Sequence, residues 1–197
     1  DKESQAFLFN AAIIRDGMNN YGPAQNNYQQ YFETTKGKDR WEILLLMAQL
    51  QERKGNITKA LEFYKQYYDA RPSNKAGLIE AAYKVAKIHQ AKNHKTDFED
   101  WCKKVIYQVK AHSTKEEPVG VSYAAECKFT EVSKVFDELR AIKIPQNPQR
   151  QQAAVKEKLG LLNKLKEQLK AVIRYDDGPY IVNSLAMIGQ ANQHMAA

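Results

Sequence analysis

Asn19-Asn20-Tyr21-Gly22-Pro23-Ala24-Gln25-Asn26-Asn27-Tyr28-Gln29-Gln30-Tyr31-Phe32-Glu33 lies over Gly55-Asn56-Ile57-Thr58-Lys59-Ala60-Leu61-Glu62-Phe63-Tyr64-Lys65-Gln66-Tyr67-Tyr68-Asp69 at a constant offset of 36 residues. Ala24 falls on Ala60, Tyr28 on Tyr64, Tyr31 on Tyr67 and Glu33 on Asp69. Upstream, Leu8, Ala11 and Ala12 fall on Leu44, Met47 and Ala48 at the same offset. A period of this length marks a unit that cannot bury its apolar face alone and does so by stacking on its neighbours. Each unit reads as two helices: a first carrying the small Ala, a short turn, and a second carrying Ala and two tyrosines. Helices cross closely only where a side chain is nearly absent, and the aromatic fills the space beside that contact. Asn19 and Gly55, at the turns, can both adopt the left-handed conformation that ends a helix.

A third unit follows with a 38-residue step, taking Ala86 as its small residue. Asn93 occupies its turn. Its second helix is predicted from about Phe98, with Phe98 in place of the small Ala, Cys102 in place of the aromatic and Val105 in place of the second tyrosine. Thr96 or Asp97 is expected to cap it. After His112 the pattern changes. Ser113 to Pro118 reads as a connector. Val119 to Ile142 then reads as one long helix, Ile144-Pro145-Gln146-Asn147-Pro148 as a turn, and Gln149 to Tyr175 as a second long helix. Val155, Leu159, Leu162, Leu165, Leu169 and Val172 form a helix-period stripe expected to pack on the preceding helix, and the short turn favours an antiparallel pair. Asp176-Asp177-Gly178-Pro179 stops this helix and starts another, with Pro179 near its first turn. Leu185, Ile188, Gly189 and Asn192 have the spacing of a further first helix, with Gly189 as the small residue. The fold expected is therefore all-α: a right-handed solenoid of about nine helices, with repeats over 1–112 and the long antiparallel pair plus one more first helix over 113–197. The missing partner of that last helix, and Asp1 in place of Met at the start, lead us to expect a processed or excised piece of a longer chain.

Composition narrows the function classes. Of 197 residues 43% are hydrophobic and 27% charged, enough apolar surface for a packed fold and not the profile of disorder. No run of about 18 apolar residues exists to span a membrane. The net charge of +7 is spread along the chain without five consecutive basic residues, which argues against a nucleic-acid footprint and for solvated helix faces.

The residues that carry chemistry elsewhere are sparse here. There is no HExxH, no Cys-x-x-Cys and no glycine-rich phosphate loop. His89, His94, His112 and His194 read as surface or helix-end residues. His89 and His94 flank the Asn93 turn and share no helix face. Asp176-Asp177 lacks the alternating oxygens and distal Glu of a calcium loop. Ser122, Ser133 and Ser184 have no base that sequence places near them. Cys102 and Cys127 are expected as buried free thiols, with a disulfide open to them in an oxidising compartment. Phe32 and Tyr68 point one step round from the packing tyrosines and are expected between repeats rather than in a row facing a partner. No metal, no cofactor and no catalytic residue is expected.

Leu44, Ala48, Gly55, Ala60, Tyr64 and Pro72 resemble the tetratricopeptide repeat (TPR). The first repeat keeps Leu8, Ala12, Ala24 and Tyr28, with Asn19 for the Gly and Lys36 for the Pro. The resemblance implies a protein-binding scaffold whose first helices line a concave groove for a partner's peptide or helix. Groove positions would be Ala6, Phe9, Ile13 and Asp16, then Glu42, Leu45, Gln49 and Arg53, then Glu80, Tyr83, Lys87 and Gln90. The contacts expected from these are Phe9, Ile13, Leu45, Gln49, Arg53, Tyr83 and Lys87. In TPRs that hold a chaperone's C-terminal carboxylate, Lys and Asn stand where Phe9 and Ile13 stand here; only Asn10 matches, so an amphipathic segment fits better. The Phe9-Asn10-Ala11-Ala12 helix, the Ala141-Ile142-Lys143-Ile144 helix end, the long helix after it and the Tyr175 to Gly189 stretch resemble the TPR proteins of the bacterial cell envelope linked with adventurous gliding in delta-proteobacteria. That implies a periplasmic or envelope scaffold. The alternative is a cytoplasmic regulatory TPR domain sensing a peptide or contacting nucleic acid. The partner's identity and the oligomeric state stay open.

Overall fold

Asn19, Gly55 and Asn93 all stand in left-handed backbone, with φ of 59°, 76° and 57°. Each is followed by the same pair of bonds. Asn20, Asn56 and His94 donate their backbone N–H to the carbonyls of Arg15, Gln51 and His89, five residues back. Asn19, Gly55 and Asn93 donate to Asp16, Glu52 and Gln90, three back. This is the Schellman closure of a helix, and its threefold recurrence sets the boundaries of three helix pairs. The pairs are α1 (Lys2–Gly17) with α2 (Tyr21–Thr34), α3 (Glu42–Arg53) with α4 (Ile57–Asp69), and α5 (Lys75–Ala91) with α6 (Lys95–His112). A short 3-10 turn, Lys38–Trp41, leads into α3. Then come α7 (Val121–Ala141), α8 (Pro148–Ile173) and α9 (Gly178–Ala196). The computed structural model describes residues 2–196, and among them there are nine α-helices and no strand. No helix among the described residues is long and apolar enough to cross a membrane.

α6 starts at Lys95, three residues before the expected Phe98, because the turn ends at His94 and leaves His94, not Thr96 or Asp97, before the first helical residue. Phe98, Cys102 and Val105 are buried as the repeat alignment expects. Asn56 and Asn74 cap α4 and α5 by accepting from the backbone N–H of Lys59 and Gly77.

Two compact units divide the chain, Asp1–Lys104 and Val105–Ala197, with the division inside α6. In the first, Ala12, Ala24, Tyr28, Ile43, Met47 and Leu50 form a core under α1 to α3. Ala48, Ala60, Tyr64, Tyr67, Ala82 and Ala86 are fully buried. Phe32 lies edge-on to Trp41, and Tyr68 edge-on to Trp101, so these two aromatics serve packing as expected. In the second unit α7, α8 and α9 share one core of Val132, Val135, Phe136, Leu139, Leu162, Leu165, Leu169, Val172 and Ala191.

Three expectations are corrected here. The α8 stripe is buried only from Leu162 to Val172, while Val155 and Leu159 are exposed. The inward position below Leu162 is held by Lys158, 5% exposed, whose ammonium donates to the His194 carbonyl in the last turn of α9. A long amphipathic side chain reaches that carbonyl where Leu159, with no donor, could not. In α9 the close-packed small residues are Ser184 and Ala191, both fully buried. Gly189 is exposed with open space where a Cβ would stand, and Leu185 and Asn192 are exposed too. Finally, neither cysteine is a free thiol. Cys102 and Cys127 are buried and both are disulfide-bonded. Sequence carries no information on the Cβ separation that decides between thiol and disulfide.

Candidate functional site

The first helices α1, α3 and α5 are joined by a chain of acids, tyrosines and cations. Asp16 stands in the last turn of α1 and Glu52 in the last turn of α3, one 36-residue period apart. Each accepts from the buried tyrosine of its own second helix: Tyr28 OH to Asp16 Oδ2 at 3.4 Å, Tyr64 OH to Glu52 Oε2 at 2.7 Å. Each also meets a cation from the next first helix. Arg53 pairs with Asp16, and Lys84 Nζ lies 3.0 Å from both Glu52 oxygens. Tyr67 donates to Glu42 Oε2 at 2.7 Å. Burial first, then the adjoining carboxylate, pushes the Tyr28 hydroxyl up to about 12 and the Tyr64 and Tyr67 hydroxyls higher still. These phenols therefore remain donors throughout the neutral range.

Gln49 Nε2 donates to Glu80 Oε1 at 3.0 Å, closing a second link between α3 and α5. Gln49, Glu52, Arg53, Glu80 and Lys84 line a polar cleft of about 550 Å³. Of the seven expected contacts, Gln49 and Arg53 line this cleft, though both are engaged in links between helices. Phe9 is half-buried against Tyr31, with ring centroids 5.5 Å apart, and Ile13 is 42% exposed. Tyr83 and Lys87 are half-buried, the ammonium 6.0 Å from the ring centroid. Leu45 is the exception. It is 8% exposed, and its Cδ2 would lie 3.0 Å from a Cβ built on Gly77. It packs under the start of α5 and leaves little surface exposed.

Glu52 and Lys84 are cleft residues that the family positions do not include. Glu52 carries a signal, the same 36-residue period that puts an acid at both Asp16 and Glu52, whereas Lys84 carries none. A cavity of about 880 Å³ lies in the second unit, with an apolar side of Ile106, Val109 and Val121 and the charged Lys110, Lys115, Arg174 and Asp176.

The histidines stand at helix ends, as expected, with one difference at the third repeat turn. His89 is buried rather than on the surface, and the His89 and His94 rings approach to 5.7 Å between centroids. The Schellman turn folds residue 94 back onto residue 89, so a shared helix face is not needed. Asp97 completes a cluster whose three ligand atoms lie within 4.8 Å of one another.

No protein family and no curated protein matches the chain. Among solved structures it is similar to BtubC (BKLC) from P. vanneervenii, with a TM-score of 0.48 and 15% identity, over 94% of this chain and 77% of that one.

Proposed function

We propose that this chain is a non-catalytic, TPR-type interaction scaffold: a right-handed solenoid with α7 and α8 as an antiparallel pair, receiving an amphipathic peptide or helix on the face of α1, α3 and α5. The observation that carries the reading is the repeated link of acid, buried tyrosine and next-repeat cation. It links three first helices through a polar cleft, with Ile13 exposed on α1 and Tyr83 and Lys87 half-buried on α5. A preorganised face of mixed polarity loses little entropy when a partner docks. An envelope setting is supported by the oxidised state of both cysteines, since disulfides persist in oxidising compartments.

Peptides selected against the immobilised protein from a random amphipathic library provide the test. Ile13→Glu and Lys87→Ala should each weaken binding about tenfold, a loss of about 1.4 kcal/mol. The control Lys103→Ala, exposed on α6, should not. Equal affinity for all three proteins rejects the groove. A steep loss with salt that ignores these positions points instead to a polyanion partner.

A further inference from the structure

The third Schellman turn carries different side chains from the other two. The carbonyl and N–H that close the turn belong to Arg15 and Asn20 in the first repeat, to Gln51 and Asn56 in the second, and to His89 and His94 in the third. Asp97 follows in the first turn of α6, where a helix N-terminus favours an anion. Its Oδ2 lies 3.5 Å from His89 Nδ1 and 3.9 Å from His94 Nδ1. The His89 side chain is only 7% exposed, yet neither ring nitrogen has a hydrogen-bond partner. Buried polar nitrogens are nearly always satisfied, so this ring calls for a ligand.

We infer that His89, His94 and Asp97 form a site for a divalent transition ion of the zinc class, with the remaining coordination position open to solvent. Tetrahedral zinc with bonds of about 2.0–2.1 Å sets its ligand atoms about 3.4 Å apart. The two distances to Asp97 are within half an ångström of that, and rotation of the exposed His94 closes the third edge. The His89 imidazole sits buried in the last turn of α5 with its Nδ1 toward Asp97. The groups facing it are Lys65, Lys92, His94 and Asp97. The two lysines oppose any cation, so binding rests on coordination to nitrogen rather than on a negative field. That selects zinc-class ions over calcium or magnesium, which require oxygen cages. The ion would brace the end of α5 against the start of α6.

The experiment is calorimetric titration of the untagged, chelator-treated chain with Zn²⁺, without reductant, alongside Ca²⁺ and Mg²⁺. A single Zn²⁺ per chain should bind, raising the thermal midpoint, with no response to Ca²⁺ or Mg²⁺. His94→Ala and Asp97→Asn alter exposed side chains and should keep the helical circular dichroism while weakening Zn²⁺ by about tenfold or more. Co²⁺ should give visible ligand-field bands in the wild type that both variants lose. Absence of Zn²⁺ binding overturns the site, as does binding that both variants retain, which would place the ion elsewhere on the chain.

Discussion

Gly77 has no side chain because Tyr67 already occupies the place. A Cβ there would stand 2.5 Å from the Tyr67 hydroxyl, 2.9 Å from Asn74 Nδ2 and 3.0 Å from Leu45 Cδ2. Tyr67 is fully buried and bonded to Glu42, so it cannot give way cheaply. Gly77→Ala should therefore cost about 1–3 kcal/mol in urea unfolding, despite alanine's higher helix propensity; a gain in stability would show that Tyr67 is not so placed. His89 makes a pH-dependent contribution. Its folded value lies below 6.5, so the unfolded chain takes up the proton first and stability falls as pH drops through about 6.5. In metal-free protein the thermal midpoint should decline between about pH 7.5 and 5.5, and His89→Gln should flatten that decline; equal slopes would exclude His89 as its source. At this scale the buried alanines and tyrosines are legible from the repeat alone, because packing forces their size. Their polar partners are not. Nothing in the spacing of Tyr28 and Asp16 says that a hydroxyl reaches a carboxylate, although the common period of Asp16 and Glu52 was there to be seen.

The helix-ending turns are the best-read elements, although α6 starts three residues before the expected Phe98. Asn19, Gly55, Asn93 and the Gly178-Pro179 start all follow from backbone preference, which is local. Helix faces in the second unit are read less well. The α8 stripe could run from Leu162 to either Lys158 or Leu159, and the choice depends on the α9 carbonyl that Lys158 meets, which is tertiary information. Between elements, Arg53 joins α3 to α1 through Asp16, whose carboxylate is largely buried. Arg53→Ala strands that carboxylate and should destabilise by about 1–3 kcal/mol, so it is unsuitable as a binding-only variant. Guanidinium chloride unfolding checks this, with Asp16→Asn in the same background relieving part of the loss. An unchanged midpoint in Arg53→Ala would mean that α1 and α3 are not coupled through this pair.

At the largest scale, the all-helical class and, among the described residues, the count of nine α-helices were legible, since periodicity and turn residues carry both. The oxidation of Cys102 and Cys127 was not, because it depends on atoms far apart in sequence. Thiol titration in denaturant should find no free thiol before reduction and two after it, matching the cysteine count; two before reduction would contradict the structure and remove the support for an oxidising compartment. The binding face itself is tested most directly in living cells of the source organism, with a photo-crosslinking amino acid placed at Ile13 or Lys87 and, as controls, at the exposed Glu62 of α4 or Lys103 of α6. A scaffold that works through its first helices gives one discrete adduct from Ile13 and Lys87 and none from the controls. Adducts from Glu62 or Lys103 alone, with none from the first helices, would place the partner on the opposite surface and contradict the proposed function.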